Sequence, residues 1–216
     1  LAERMRAEAA VDMGWGRILF GQTFADARSL LEALRQESPD RRDLCLYLRD
    51  PHVLLALAPD ELFLDPSHTY HLRSHEYRPA SGRPQSLAIR RIASMADAEA
   101  INRIYRGRAM APCPPAFMLD RHAGRLRTYL VAEDAASGEI VGTISGVDHV
   151  EAFADPENGA SFWCLAADPQ AAVPGVGEAL VRRIVEHYFA RGRSHVDLSV
   201  MHDNREAIEL YAKIGF

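Results

Sequence analysis

The sequence predicts an α/β fold around a mixed sheet, and three observations carry that expectation. Apolar runs of strand length alternate with amphipathic helical stretches along the chain. Residues 161–167, 176–190 and 195–201 follow one another as strand, helix and strand, the order of a right-handed βαβ unit. The runs 128–133 and 140–147 flank a loop of hairpin length, Asp134-Ala135-Ala136-Ser137-Gly138, so antiparallel pairing accompanies the parallel pair.

The elements begin with Arg17-Ile18-Leu19-Phe20, which suits a strand, and Asp26 then stands where a cap opens a helix over 27–37. Leu30, Leu31 and Leu34 share that helix's inner face. A second strand over 43–48 ends at Asp50-Pro51, an acceptor side chain followed by a residue that needs no amide hydrogen, which starts a short helix to 58. Further strands are expected over 61–64 and 69–72 around the turn Asp65-Pro66-Ser67. His68, His71 and His75 read as surface histidines on a loop and not as metal ligands, and no metal is expected. Arg78-Pro79-Ala80-Ser81-Gly82-Arg83-Pro84 has linker composition. A boundary there separates an amino-terminal α/β domain, 1–86, from a second domain, 87–216.

In the second domain 87–92 alternates as a strand, and Asp97 is placed to cap a helix through Ile101, Ile104 and Tyr105. Ala111-Pro112-Cys113-Pro114-Pro115 interrupts regular structure. After the hairpin and the strand 161–167, the helix 176–190 buries Val176, Leu180, Val181, Ile184, Val185 and Tyr188 and turns Arg182, Arg183, Glu186 and Arg191 outward. No internal repeat is evident; the first 86 residues read at most as a reduced relative of the second domain.

Composition excludes several classes. A net charge of -5 offers no basic footprint, so nucleic acid is not an expected partner. The 3 cysteines have neither disulfide nor zinc-ribbon spacing, which fits a reducing cytoplasm. No apolar run approaches the about 20 residues that span a bilayer. The chain starts without an initiator methionine and stops on Gly215-Phe216, so both ends read as cut.

Pro174-Gly175-Val176-Gly177-Glu178-Ala179 follows a strand and opens a helix, where unpaired amides and two small residues let an anion such as a pyrophosphate approach. A plain glycine turn explains the same residues. Asn204 at a strand-to-helix turn and Tyr211 two helical turns on lie on nearly one face, as a cap and a core tyrosine or as parts of a site.

That order of glycine loop, strand, asparagine and tyrosine resembles the GNAT superfamily of acyl-CoA N-acyltransferases. The resemblance implies a mostly antiparallel mixed sheet with a splayed strand pair, helices on both faces, and acetyl-CoA as cosubstrate. It assigns pyrophosphate binding to Gly175, Val176, Gly177, Glu178 and Ala179, although Ala172 replaces the family's Arg or Gln. Leu165, Ala166 and Ala167 would take the pantetheine arm, Asn204 would position the last helix, and Tyr211 would serve the leaving sulfur. A phenol in reach of a departing thiolate can protonate it. Phe162, Trp163 and Cys164 stand where many relatives carry a glutamate base, so the base is unassigned; Asp148-His149-Val150-Glu151, just after strand 140–147, reads equally as the carboxylates that deprotonate or grip the amine and as a solvated loop. The absent glutamate also supports a rival, a non-catalytic acyl-CoA-binding module that regulates a ligase. Acetylation of another amine or of a protein is equally compatible.

Beyond these motifs, Gly14-Trp15-Gly16-Arg17, residues 47–54, residues 61–70, Gly146-Val147-Asp148-His149-Val150-Glu151-Ala152-Phe153 and residues 198–204 are similar to the amino-terminal half of N-acetylglutaminylglutamine synthetases. That resemblance implies acetylation of the α-amine of glutamine or glutaminylglutamine in osmolyte synthesis, with an ATP-grasp ligase half as partner. A homodimer is also compatible with the first 86 residues, whose role is open between capping the substrate cleft and holding a dimer.

Overall fold

Strand-length runs pair into two sheets in the computed structural model, which describes residues 5–65, 67–80, 82, 86–122 and 124–216. Pro66 of the expected turn, linker positions 81, 83 and 84, and position 85 after the linker lie outside the described residues. In the small sheet β1 (Ala10–Asp12) is antiparallel to β2 (Gly16–Phe20), and β3 (Arg42–Leu46) is parallel to β2. The large sheet contains β4 (Ser67–Arg73), β5 (Leu87–Arg91), β6 (Arg127–Asp134), β7 (Ile140–Asp148), β8 (Gly159–Ala167) and β9 (His195–Met201). Its order is β4-β9-β8-β7-β6-β5, and every neighbouring pair is antiparallel except β8 with β9.

The helices are α1 (Ala27–Leu34), α2 (Pro51–Leu57), α3 (Met95–Gly107), α4 (Pro115–His122), α5 (His149–Phe153), α6 (Val176–Ala190) and α7 (Arg205–Ile214). Strand alternation gives the large sheet two apolar faces. Leu130, Ile144, Phe162, Val196 and Leu198 pack against Leu180, Ile184 and Tyr211 of α6 and α7. Tyr129, Val131, Val147 and Trp163 face the other way, onto Ile101, Ile104 and Met118 of α3 and α4 and onto Ile18 and Phe20 of the small sheet. Among the described residues no helix is long and apolar enough to cross a membrane.

Several local expectations give way. Asp97 does not cap α3: Ser94 does, while the Asp97 carboxylate takes Arg90 and the Ala93 amide. Asp50 precedes α2 without a side-chain cap bond. Residues 61–64 form no strand, and Phe63 stands 87% exposed. The histidine segment is not a loop, since His68 and His71 lie within β4. β4 also shows that the expected boundary after residue 86 divides the chain but not the sheet: the amino-terminal segment supplies an edge strand to the second domain.

Candidate active site

The parallel strands β8 and β9 pair only at Gly159 with His195, Ala160 with Val196 and Ser161 with Asp197. Beyond that vertex they separate into a V. The cause lies in β8: its register against β7 slips between Thr143 and Ser145, and Cys164 takes the left-handed conformation at φ 53. Ser145 Oγ donates to the Trp163 carbonyl at 3.0 Å and so fixes this bulge. Past it, the Asp168 amide bonds Val141 of β7 at 2.8 Å. Strand alternation then turns the Leu165 and Ala167 backbone groups to the edge that faces the V, and those of Ala166 toward β7. The Ala167 carbonyl is taken by Arg108 Nε at 2.8 Å, which leaves Leu165 as the exposed rung.

The V opens toward the start of α6. Gly175 caps that helix at φ 78 with no side-chain hydrogen bond, and a β-carbon there would meet nothing within 4 Å. Among the described residues the amides of Val176, Gly177 and Glu178 donate no backbone hydrogen bond, a state suited to an anion. Ala179 is excluded from this cradle because its amide bonds the Gly175 carbonyl at 3.0 Å. The Glu178 side chain is neutralised by Arg182 at 2.9 Å and Lys213 at 2.7 Å, so its contribution is its backbone. Gly142 lets α6 approach the sheet this closely: a β-carbon there would sit 2.3 Å from Val176 Cγ1.

Asn204 caps α7, accepting from the Ala207 amide at 3.3 Å. That bond aims Tyr211 inward, where its ring packs 5.7 Å from Phe162 and 5.9 Å from Phe216. Burial pushes the Tyr211 pKa up to about 12, so the phenol stays protonated at neutral pH. Cys164 is likewise a thiol, its pKa raised by burial to about 11.

Asp148 and Glu151 do not fit the expected amine-handling role. Asp148 is fully buried, ion-paired with Arg191 at 2.8 Å and Arg193 at 2.9 Å, and accepts from the Val150 and Glu151 amides at the start of α5. Its lone pairs are committed to the fold. Glu151 pairs with Arg125 at 3.3 Å on the outer side of the same cluster. Both sit at the closed end of β8, since Asp148 pairs with Ala160.

A polar cluster that the sequence did not reveal occupies the vertex instead. Tyr47 donates to Asp197 Oδ2 at 2.6 Å, His71 Nδ1 lies 2.7 Å from Asp197 Oδ1, and His195 Nε2 is 3.6 Å from Asp197 Oδ2. Trp163 Nε1 donates to Ser161 Oγ at 2.9 Å, and His149 Nε2 meets the same hydroxyl at 2.9 Å. Burial works against the Asp197 charge, but the bonds from His195 and Tyr47 outweigh it and lower its pKa. His195 is raised for the converse reason, its bond to Asp197 exceeding the cost of burial. These residues come from positions 47, 71, 149, 161, 163, 195 and 197, too scattered for any local motif. Only the alternation of Asp197 with apolar Val196 and Leu198 hinted that a charge faces inward.

Comparison with known proteins adds a family. The profile of the acetyltransferase (GNAT) family matches residues 98–216. Acetyltransferase SG1711 of Sodalis glossinidius is 34% identical over 88 residues, which are 41% of this chain and 56% of that protein. The match thus spans little more than half the length of that curated relative. A GCN5-related N-acetyltransferase structure from Sphaerobacter thermophilus shares the fold at a TM-score of 0.57 and 16% identity, over 95% of this chain and 71% of its own. The yncA structure from Salmonella typhimurium, solved with acetyl-CoA, has a TM-score of 0.50 and 22% identity over 61% of this chain and 80% of its own.

Proposed function

This chain belongs to the acetyltransferase (GNAT) family, and we propose that it acts as an acetyl-CoA-dependent N-acetyltransferase on the α-amine of a small amino acid or dipeptide. The observation that supports the reading is the V between β8 and β9, and in this reading the glycine-capped start of α6 and the phenol of Tyr211 are the groups that meet a ligand held there. Acetyl-CoA supplies an acyl thioester, which an unprotonated amine can attack without an acyl-enzyme. The chain's own residues bind and orient. Amides of Val176, Gly177 and Glu178 suit the diphosphate, and the Leu165 rung suits the amide-bearing arm. Tyr211, protonated at neutral pH, is in this reading the group that gives its proton to the departing sulfur.

The choice of glutamine or glutaminylglutamine as acceptor, and of an ATP-grasp ligase as the partner that uses the product, rests on the segments similar to N-acetylglutaminylglutamine synthetases. CoA release with glutamine, glutaminylglutamine and a panel of other amines tests it. Release with the glutamine compounds supports the whole proposal. Release only with other amines replaces the acceptor, and acetyl-CoA binding without release from any amine favours a silent regulatory module.

A further inference from the structure

We propose that His149, Asp155 and His195 hold a divalent transition-metal ion of the zinc class, which clasps the closed end of β8 to β9. Geometry is the first argument. One ligand atom from each of the three lies within 4.8 Å of the other two. His149 Nδ1 and Asp155 Oδ2 are 3.8 Å apart, beyond a hydrogen bond. Two ligands bound at about 2.0–2.2 Å to one tetrahedral ion stand about 3.4 Å from each other, so an ion fits between them after a shift of a few tenths of an ångström. The chain is shaped to bring the three together. His149 opens α5, Asp155 follows that helix, and His195 begins β9. Left-handed Ala154 at φ 56 and Asn158 at φ 59 bracket the Asp155 loop, and the Gly159 amide fixes Asp155 Oδ2 at 2.8 Å. Gly159 also admits the imidazole, since a β-carbon there would sit 2.2 Å from His195 Nε2.

Charge points the same way. Among the described residues the buried carboxylates Asp43, Asp97, Asp148 and Asp168 each pair with an arginine. Asp155 and Asp197, whose side chains are both 8% exposed, pair with no arginine or lysine. Asp155 accepts from the Glu157 and Gly159 amides, and Asp197 meets a phenol and two imidazoles. Two desolvated carboxylates without a fixed cation balance one divalent ion. Asp197 stays outside the ligand set, because Tyr47 and His71 hold its oxygens, and contributes its charge alone.

Two imidazoles and one carboxylate are donors for zinc-class ions, whereas calcium and magnesium take oxygen. With an ion on Nδ1, His149 carries its hydrogen on Nε2 and donates to Ser161 Oγ at 2.9 Å, the outer bond that orients a ligand imidazole. An open cleft of about 470 Å³, lined in part by His75, Glu157, Ser194 and His195, gives an ion entry from solvent and room for a water ligand. The consequence is structural. β8 and β9 pair at only three positions, beginning with Gly159 and His195. An ion that joins His195 to the α5–β8 segment fastens this short parallel pair at the end away from its opening.

The test takes the whole chain, freed of metal by dialysis against EDTA, and titrates it with zinc chloride, with magnesium chloride as control, in calorimetry and thermal melts. One zinc per chain should bind, and Tm should rise by about 5–10 °C when free zinc stands a hundredfold above its Kd. Magnesium should do neither. His149→Gln, Asp155→Asn and His195→Gln should each abolish the zinc-dependent rise, read against each variant's own metal-free melt so that lost packing does not mimic lost ligation. Ser161→Ala, which removes only the partner of His149 Nε2, should weaken zinc binding about 10–100-fold. His75→Gln, in the cleft but outside the ligand set, should bind as wild type does. Failure of wild type to bind one equivalent of zinc would overturn the site. So would zinc binding kept by the three ligand variants and lost in His71→Gln or His75→Gln, which would mark adventitious binding by surface imidazoles. None of these readouts needs acetyl transfer, so the site and the acetyltransferase reading fail separately.

Discussion

Asp148→Asn separates a carboxylate that holds the fold from one that serves chemistry. Asparagine keeps an oxygen for the Val150 and Glu151 amides but removes the charge that faces Arg191 and Arg193. Asp148 is wholly buried, and the two arginine side chains are only 16% and 10% exposed, so the guanidiniums would be left partly desolvated without a counter-charge. Breaking such a pair costs about 3–5 kcal/mol, and the retained cap and the remaining solvent access put this case near about 3. For a protein of this size each kcal/mol lowers Tm by about 2–4 °C, giving a fall of about 6–12 °C. Calorimetric or circular-dichroism melts read that shift, and CoA release is then measured well below the variant's transition. Unchanged kcat/KM in the surviving folded protein is expected. A Tm equal to wild type together with a rate loss of about 100-fold would refute the reasoning and return Asp148 to the chemistry.

Tyr211→Phe should lower kcat by about 10²-fold or more while acetyl-CoA binding holds, since the phenol is asked to act only as sulfur departs; equal activity in steady-state assays would count against its acid role. Gly142→Ala places a β-carbon 2.3 Å from Val176 Cγ1 and 3.2 Å from the Ala166 carbonyl. Overpacking of this kind costs about 1–3 kcal/mol and should displace the first turn of α6, so melting and acetyl-CoA titration should both weaken. Burial, aided at His187 by nearby arginines, lowers the pKa of His149 and His187 to about 4 from 6.5. Between those values the unfolded chain binds more protons than the folded one, so urea-derived stability should fall as pH drops from 6.5 toward 4, and His149→Gln should flatten that decline.

The strongest periodic segments were legible before any coordinates. Residues 176–190 form a helix at the expected bounds because apolar positions recur at its period, and the hairpin 127–148 forms as the alternation implies. The glycine loop and the Asn204 cap were legible too, since a glycine before a helix and an asparagine before one act locally. What failed was decided at a distance. Asp97 has the composition of a cap, yet Arg90 on the neighbouring strand claims it and Ser94 takes the cap. Asp148 and Glu151 looked like an acidic loop beside a strand, but Arg191 and Arg193, more than forty residues on, turn Asp148 into a structural anchor. The vertex cluster joins Tyr47, His71 and Asp197 only because β4 crosses from the amino-terminal segment into the large sheet, a topology that no local spacing encodes.

A crystal structure with acetyl-CoA bound tests the central claim most directly. The account predicts the diphosphate on the amides of Val176 and Gly177, the arm along Leu165, and the thioester sulfur within hydrogen-bond reach of the Tyr211 hydroxyl. Density for the ligand outside the opening between β8 and β9, or a sulfur remote from that hydroxyl, would contradict it.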